Sequence, residues 1–135
     1  MRKLQLPPIS ERIRGFTIPE SGFMYVSDYD EIHKVTLSDP PTVEWIEGNP
    51  YEFEGTPNYL GVTDARPILN AGGFKLSYEF DPKADVQDVV VTSPTQTETL
   101  SFRTLSGDWF VATFSADAKY LVVAEPYLIE VYLVQ

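Results

Sequence analysis

Short apolar runs separated by turn residues recur along the whole chain, and they are densest in its C-terminal third. Residues 97–135 read TETLSFRTL, SGD, WFVATF, SADAK, YLVVAE and PYLIEVYLV, so apolar and β-branched runs alternate with Gly, Ser, Asp and Pro. This pattern is typical of strands that follow one another in an antiparallel meander. No other segment is as apolar or as regular, so we place the core of the protein here.

The remaining chain shows the same succession of strand and turn signals. Residues 74–80 alternate cleanly, with Phe74, Leu76 and Tyr78 on one face and polar residues on the other. Further strands are predicted at residues 12–18 (an edge strand), 23–27, 32–37, 42–47 and 86–92, and residues 59–62 form a short apolar piece. These segments give about eight to ten strands and no long helical period. The 135 residues are therefore predicted to form one all-β domain, an antiparallel sandwich or barrel-like meander, in which residues 1–22 are a basic, proline-broken segment.

The apolar positions of these strands define the expected core. The positions predicted to be mostly buried are Phe74, Leu76, Tyr78, Phe110, Ala112, Phe114, Leu121, Val123, Ile129 and Val131. Residues 127–134 are apolar on both faces, whereas a strand covered on one side only alternates more cleanly. The second face must therefore meet another sheet, the N-terminal segment or a second copy of the chain. We expect a second copy and hence a homo-oligomer, with Leu128 and Tyr132 on the side that a single chain leaves exposed.

Two hairpins resemble pieces of β-propeller blades. Residues 24–37 (MYVSDYDEIHKVTL) are similar to the paired inner strands of one blade type, and residues 114–133 (FSADAKYLVVAEPYLIEVYL) are similar to the beginning of another. A blade takes roughly 40–50 residues and a closed ring needs at least about four blades. The resemblance therefore implies an alternative architecture, in which propeller-blade-like hairpins form a closed ring only when several subunits assemble.

Charge is distributed unevenly along the chain, whose net charge is −10. Residues 1–14 carry four basic residues and one acidic residue, whereas the remainder carries six basic and nineteen acidic residues. An acidic surface repels phosphate groups, so nucleic acids and anionic membranes are not expected as partners. Basic proteins or cations suit this surface better. We expect the basic N-terminal segment to dock on the acidic surface of its own chain or of a neighbouring subunit.

Several classes of protein are disfavoured by what the sequence lacks. The chain has no cysteine, which removes disulfides, thiolate metal sites and cysteine nucleophiles. It has no apolar run of about eighteen residues and no apolar core of a signal peptide near its N-terminus. We therefore expect neither a membrane span nor export, and we expect a cytoplasmic location.

Catalytic signatures are equally sparse. The single histidine, His33, lies on a predicted strand where a solvent-facing position is expected, and no Gly-x-Ser-x-Gly or phosphate-binding glycine motif occurs. An enzyme is therefore less expected than a non-enzymatic protein, and no cofactor is expected. The alternative is a carboxylate-based or metal-assisted hydrolase on a β-scaffold, which would need two acids converging in one pocket. The candidate cation ligands are the carboxylates of Asp28, Asp30 and Glu31 in a predicted hairpin loop, although no EF-hand pattern follows them.

The candidate binding surface is an acidic and aromatic stretch at residues 44–59 that contains no lysine or arginine. We call it the acidic-aromatic strip, and its members are Glu44, Trp45, Glu47, Tyr51, Glu52, Phe53, Glu54 and Tyr59. Aromatic residues are common at the centres of interfaces, and charged residues at their rims. The alternative is that strand alternation turns Trp45, Tyr51 and Phe53 towards the core. The sequence thus predicts a binding or assembly module that acts through contacts with a protein partner or through self-association.

Overall fold

The structure is a computed structural model that describes residues 1–9 and 12–134. It is nearly all β, with 46% of residues in strands and 3% in helical turns. Three antiparallel sheets are present and none of them closes into a barrel, which is consistent with a sandwich. The predicted all-β class is confirmed.

The described strands, in chain order, are β1 (Arg2–Leu4), β2 (Gly15–Thr17), β3 (Phe23–Ser27), β4 (Ile32–Thr36), β5 (Thr42–Ile46), β6 (Tyr59–Gly61), β7 (Asn70–Ala71), β8 (Phe74–Ser77), β9 (Val86–Thr92), β10 (Thr97–Arg103), β11 (Val111–Phe114), β12 (Tyr120–Glu125) and β13 (Leu128–Leu133). One 3-10 helix, Pro50–Phe53, lies between β5 and β6. Short connections with turn residues separate most of these elements, as the spacing of Gly, Pro, Asp and Ser predicts.

The strands form three sheets, which we name by their place in the chain. The N-sheet has the order β5-β4-β3-β2-β6, the M-sheet has the order β10-β9-β8-β7, and the C-sheet has the order β1-β13-β12-β11. Most neighbours are consecutive in the chain because short turns connect them. The two exceptions are β6, which pairs with β2, and β1, which pairs with β13.

The C-sheet is the middle layer of the structure, because each of its faces packs against one of the other two sheets. Along β12, Val122 and Ala124 point into an apolar cluster shared with the N-sheet, and Leu121 and Val123 point into a second cluster shared with the M-sheet. We call these clusters the N-core and the M-core. Residues of the N-sheet in the N-core are Phe16, Met24, Val26, Val35 and Leu60, and residues of the M-sheet in the M-core are Leu76, Val89, Val91 and Phe102.

Most positions predicted to form the core are buried. The buried ones are Leu76, Phe110, Ala112, Phe114, Leu121, Val123 and Val131, and the half-buried ones are Phe74, Tyr78 and Ile129. The alternation of apolar residues within each strand therefore identified the inward face correctly.

Both faces of β13 are covered within the chain. Val131 is buried in the N-core, whereas Leu128 and Tyr132 are half-buried and pack against the M-core. The expectation that Leu128 and Tyr132 are exposed in a single chain is wrong, because the M-sheet lies over that face. The second face of β13 therefore no longer requires a second copy of the chain, and the homo-oligomer stays a prediction.

Three predicted elements differ from the observed ones. β10 pairs with β9 in the M-sheet, so it is not part of the C-terminal meander predicted from residue 97 onward. β2 lies between β3 and β6, so it is not the edge strand predicted at residues 12–18. β8 ends at Ser77, short of the predicted end at residue 80. Alternation tells which side chains share a face of a strand, but the pairing partner is decided by contacts far along the chain.

The N-terminal segment lies against the same chain. β1 pairs with β13, and Leu4 is buried in the N-core. The ion pairs of the segment are Met1 amino group–Glu98, Arg2–Asp39, Lys3–Glu130, Arg12–Asp108 and Arg14–Glu54. This arrangement is the first of the two alternatives expected for the segment. The two pairs exposed on both sides, Arg2–Asp39 and Arg12–Asp108, contribute only about 0–1 kcal/mol each. Backbone pairing of β1 with β13 and the burial of Leu4 also hold the segment.

A buried carboxylate fixes the connection between the M-sheet and the C-sheet. Glu125 is fully buried at the end of β12. Its oxygens accept hydrogen bonds from the backbone N–H groups of Leu105 at 2.6 Å and Ser106 at 3.3 Å, and from that of Tyr127. Because a buried carboxylate is stable only when its oxygens have donors, this contact holds the connection at residues 104–109 in one position.

The middle position of the C-sheet leads to a stability prediction. Leu121 is fully buried in the M-core, so Leu121→Ala should lower the free energy of unfolding by about 2–5 kcal/mol, as large-to-small core substitutions do. Leu105 is 69% exposed, so Leu105→Ala is the matched control and should stay within about 0.5 kcal/mol of the parent. Urea unfolding followed by tryptophan fluorescence measures both, and equal losses would contradict the layer assignment.

Candidate functional site

The acidic-aromatic strip begins on the edge strand β5 and continues through the 3-10 helix to β6. The alternation of aromatic and acidic residues at 51–54 does not form a strand, because Asn49 and Pro50 begin a 3-10 helix there. Asn49 Oδ1 accepts a hydrogen bond from the backbone N–H of Tyr51 at 3.0 Å. Proline suits the first turn of a helix because it has no N–H that would need a partner.

Two aromatic members of the strip are used to build the outer face of the N-sheet. Phe53 stacks between Tyr25 and Tyr59, with ring centroids 5.4 Å and 6.1 Å away. Tyr59 is fully buried, and its hydroxyl group lies 2.7 Å from Ser27 Oγ in a hydrogen bond. Burial raises the pKa of the Tyr59 phenol. These rings hold the 3-10 helix against the sheet. Tyr59 is out of reach of a partner, whereas Phe53 is half-buried and lines a pocket on this face with Phe23 and Tyr25.

The Tyr59 ring lies close to the backbone of β2, and a glycine makes this approach possible. A Cβ atom at Gly15 would lie 2.4 Å from Cζ of Tyr59 and 2.4 Å from the carbonyl oxygen of Leu60. Real Cβ atoms are not found at such distances, so any other residue at this position would push β6 and the Tyr59 ring away.

Arg14 supplies the positive charge that the strip itself lacks. Its guanidinium group forms an ion pair with Glu54 and lies over the rings of Tyr29 at 5.2 Å and Tyr51 at 4.8 Å. Although partial burial acts against the charged form, the hydrogen bond and the charge of Glu54 raise the pKa of Arg14. Glu54 is therefore neutralised within the chain.

The remaining members of the strip face solvent. The side chain of Trp45 is 60% exposed on β5, and that of Tyr51 is 45% exposed. The exposed acids are Glu44, Glu47 and Glu52. Within residues 1–9 and 12–134 these three carboxylates take part in no ion pair, although Lys34 lies directly opposite Glu44 on β4. Of the predicted binding residues, these five are placed where a partner could reach them.

The structure does not support the expected cation site in the loop between β3 and β4. Asp28 Oδ1 accepts hydrogen bonds from the backbone N–H groups of Asp30 at 2.7 Å and Glu31 at 2.6 Å, so this oxygen fixes the loop. In the part of the chain that the structure describes, no three His, Asp or Glu side chains converge on a point where a metal ion could bind.

The same loop borders a cleft that the sequence did not reveal. The cleft has a volume of about 770 Å³ and its lining includes Leu6, Ile13, Asp28, Asp30, Glu31, His33, Tyr127 and Ile129. Its walls come from the N-terminal segment, the N-sheet and the start of β13, which are distant in sequence. No local signal predicts such a meeting of segments.

His33 lies on the inner face of the N-sheet, so its expected solvent-facing position is wrong. It pairs with Val26, which is buried in the N-core, and residues opposite each other on antiparallel strands share a face. Its side chain is 12% exposed. Nε2 of His33 is buried without a hydrogen-bond partner among the described residues, and Oδ2 of Asp28 lies 4.0 Å away, too far for a direct hydrogen bond.

No known protein family, curated protein or solved structure matches this chain. No helix in the described residues is long and apolar enough to cross a membrane.

The contact between Gly15 and Tyr59 leads to a second prediction. Gly15→Ala should lower the free energy of unfolding by about 1–3 kcal/mol, because the added methyl group has no room between β2 and the Tyr59 ring. Gly55 is the matched control, since a Cβ atom there meets nothing within 4 Å, and Gly55→Ala should leave stability nearly unchanged. Urea unfolding of both variants measures the difference, and an unchanged midpoint for Gly15→Ala would show that the ring does not rest on β2.

Proposed function

We propose that the protein is a non-enzymatic binding module that recognises a basic protein partner through the exposed part of the acidic-aromatic strip. The observation that carries this proposal is Trp45, whose large side chain is 60% exposed on the edge strand β5. An exposed tryptophan offers a large apolar and amphipathic area for a contact, and tryptophan is enriched among residues that dominate binding energy.

The charge around Trp45 supports a basic partner. Glu44 and Glu47 flank it in the sequence and take part in no ion pair within residues 1–9 and 12–134. The whole chain carries a net charge of −10, which favours encounter with cations and opposes encounter with phosphates. Complementary charge mainly supplies specificity and a fast association rate, whereas the tryptophan supplies buried apolar area.

Assembly with further copies of the chain is a second candidate. The M-sheet and the C-sheet contain four strands each, with β1 as the fourth strand of the C-sheet. The N-sheet contains five, of which β2 to β5 run up and down in order and β6 pairs with β2. The hairpins that resemble propeller blades are β3–β4 and β12–β13, in two different sheets. Two copies would supply six sheets, within the usual range of roughly four to eight blades. Repulsion between two chains of charge −10 acts against this assembly, so we favour a basic partner.

A carboxylate-based or metal-assisted hydrolase remains the alternative from a different class. Such an enzyme needs a concave site that holds two or more acids. The cleft meets this requirement, because Asp28, Asp30 and Glu31 line it together with His33. The metal-assisted form lacks support because the described residues contain no group of three ligands for an ion. Among the described residues the lining of the cleft holds acids but no serine, threonine or cysteine, and no observation selects one acid as a nucleophile, so we favour the binding module.

Selection from a displayed library of random dodecapeptides tests the binding proposal. The wild-type protein should enrich peptides with net positive charge, and Trp45→Ala should weaken their binding by about 2 kcal/mol, roughly thirtyfold. Tyr127→Ala is the control, because Tyr127 is another exposed aromatic residue (43%) that lies outside the strip. Added salt should weaken binding of the wild type. Enrichment of acidic peptides, or equal binding by Trp45→Ala, would contradict the proposal.

Sedimentation velocity tests the assembly candidate. Self-association would give a species of at least twice the chain mass of 15.2 kDa at micromolar concentration, and it should strengthen with salt because added ions screen repulsion between acidic chains. A single 15.2 kDa species at low and high salt would rule out ring closure by identical copies and leave the binding proposal standing.

A further inference from the structure

We infer that the partner binds as an added β-strand, by pairing an extended segment of basic and apolar residues with the free edge of β5. This inference rests on the proposed function and specifies how the strip would recognise its partner. In this mode the backbone N–H and C=O groups of residues 42–46 bind the partner, in addition to the side chains of the strip.

The free edge of β5 is the first observation. Among the strands that the structure describes, β5 is the last of the N-sheet and pairs on one side only, with β4 from Thr42 to Ile46. An edge strand presents N–H and C=O groups that can pair with another chain, and natural proteins usually blunt such edges. Three of the five residues of β5 are exposed, and its flanks are a turn ending at Pro41 and a turn at Gly48.

The other sheet edges among the described strands are less suitable. β1 and β6 have three residues each, β7 has two, and β6 is fully buried. The free side of β11 is occupied by Ile68. The carbonyl oxygen of Ile68 accepts a hydrogen bond from Phe114 N–H at 3.0 Å, and the N–H of Ile68 donates one to Thr113 Oγ1 at 2.9 Å. β10 is long, with seven residues, but it has no exposed aromatic side chain. Among these edges, β5 is the one that has five residues, an exposed position in the sheet and a large exposed aromatic side chain, that of Trp45.

The alternation of side chains along β5 defines what an added strand would meet. Val43 packs against the N-core, so Val43 and Trp45 lie on the inner face of the N-sheet and Glu44 lies on the outer face. Residues directly opposite on paired strands share a face. An added strand would therefore place a basic residue opposite Glu44 and apolar residues opposite Val43 and Trp45. The preferred segment is extended and alternates basic and apolar residues.

A β5 strand from a second copy fits this edge less well. Antiparallel pairing centred on Glu44 would place Glu44 of one copy opposite Glu44 of the other, and like charges directly opposite on paired strands are unfavourable. The charge of the edge therefore argues for a basic segment from a different protein.

A synthetic heptapeptide that alternates lysine and valine, with lysine at both ends, is the probe. Amide hydrogen exchange measured by NMR, with peptide at millimolar concentration, should show amides of β5 that do not bond to β4 slowed by about tenfold. Amides of β10, the other long edge, should be unchanged. Trp45→Ala should weaken the peptide affinity by about tenfold or more, and Glu44→Gln by about threefold. Glu79→Gln, which removes an exposed acid away from β5, should not change it.

The outcomes separate the inference from the proposed function. If the peptide binds and depends on Trp45 but no β5 amide is slowed, strand addition is overturned while recognition of a basic partner stands. The inference is also overturned if an alternating glutamate–valine heptapeptide binds as well as the lysine peptide, or if slowing is equal at β10. If neither this peptide nor any displayed peptide binds in a Trp45-dependent way, both proposals fall. If β5 slows at high protein concentration without peptide, a second copy is the occupant and the inference is overturned.

Discussion

The C-sheet has no solvent-facing side, and this constraint organises the rest of the molecule. Leu121 and Val122 are neighbours in β12 and both are fully buried, yet they point in opposite directions into two separate clusters. Burying a Leu or Val side chain contributes about 1.5–3 kcal/mol, so a strand that is apolar on both faces is stable only between two other layers. The N-sheet and the M-sheet supply those layers, and each then keeps one outer face for solvent or for function.

Features set by neighbouring residues could be predicted from the sequence, because strand alternation and turn chemistry are local. The boundaries of β3 and β9 were predicted closely for this reason, and so was the inward position of Leu76. Pairing could not be predicted in the same way. Residues 97–103 alternate whether they join the C-terminal meander or pair with β9, and only the packing of Phe102 in the M-core distinguishes the two.

The candidate site shows the same division. Strand alternation could not predict that Trp45 is exposed. Val43 and Trp45 lie on the same face of β5, but the N-core covers only Val43. The ring of Tyr59 was expected at a binding surface, and the close approach of β2 at Gly15 buries it instead. Arg14 reaches Glu54 across forty residues, so no inspection of residues 44–59 could have found the charge that neutralises this acid. Long-range contacts decide which members of an apparent cluster remain available.

The pairing of β1 with β13 has a consequence for the protein during its synthesis. The N-sheet and the M-sheet each draw on one continuous stretch of chain, so their hydrogen-bond ladders can form while the ribosome is still translating the remainder. Their apolar faces are covered only when residues 111–133 have followed them out of the ribosome and have paired with β1, which precedes both sheets in the chain. A nascent chain that stalls before β13 would carry two finished sheets with bare apolar faces. Such a chain is a natural client for chaperones and a hazard for aggregation, because exposed apolar faces and unpaired edges associate readily.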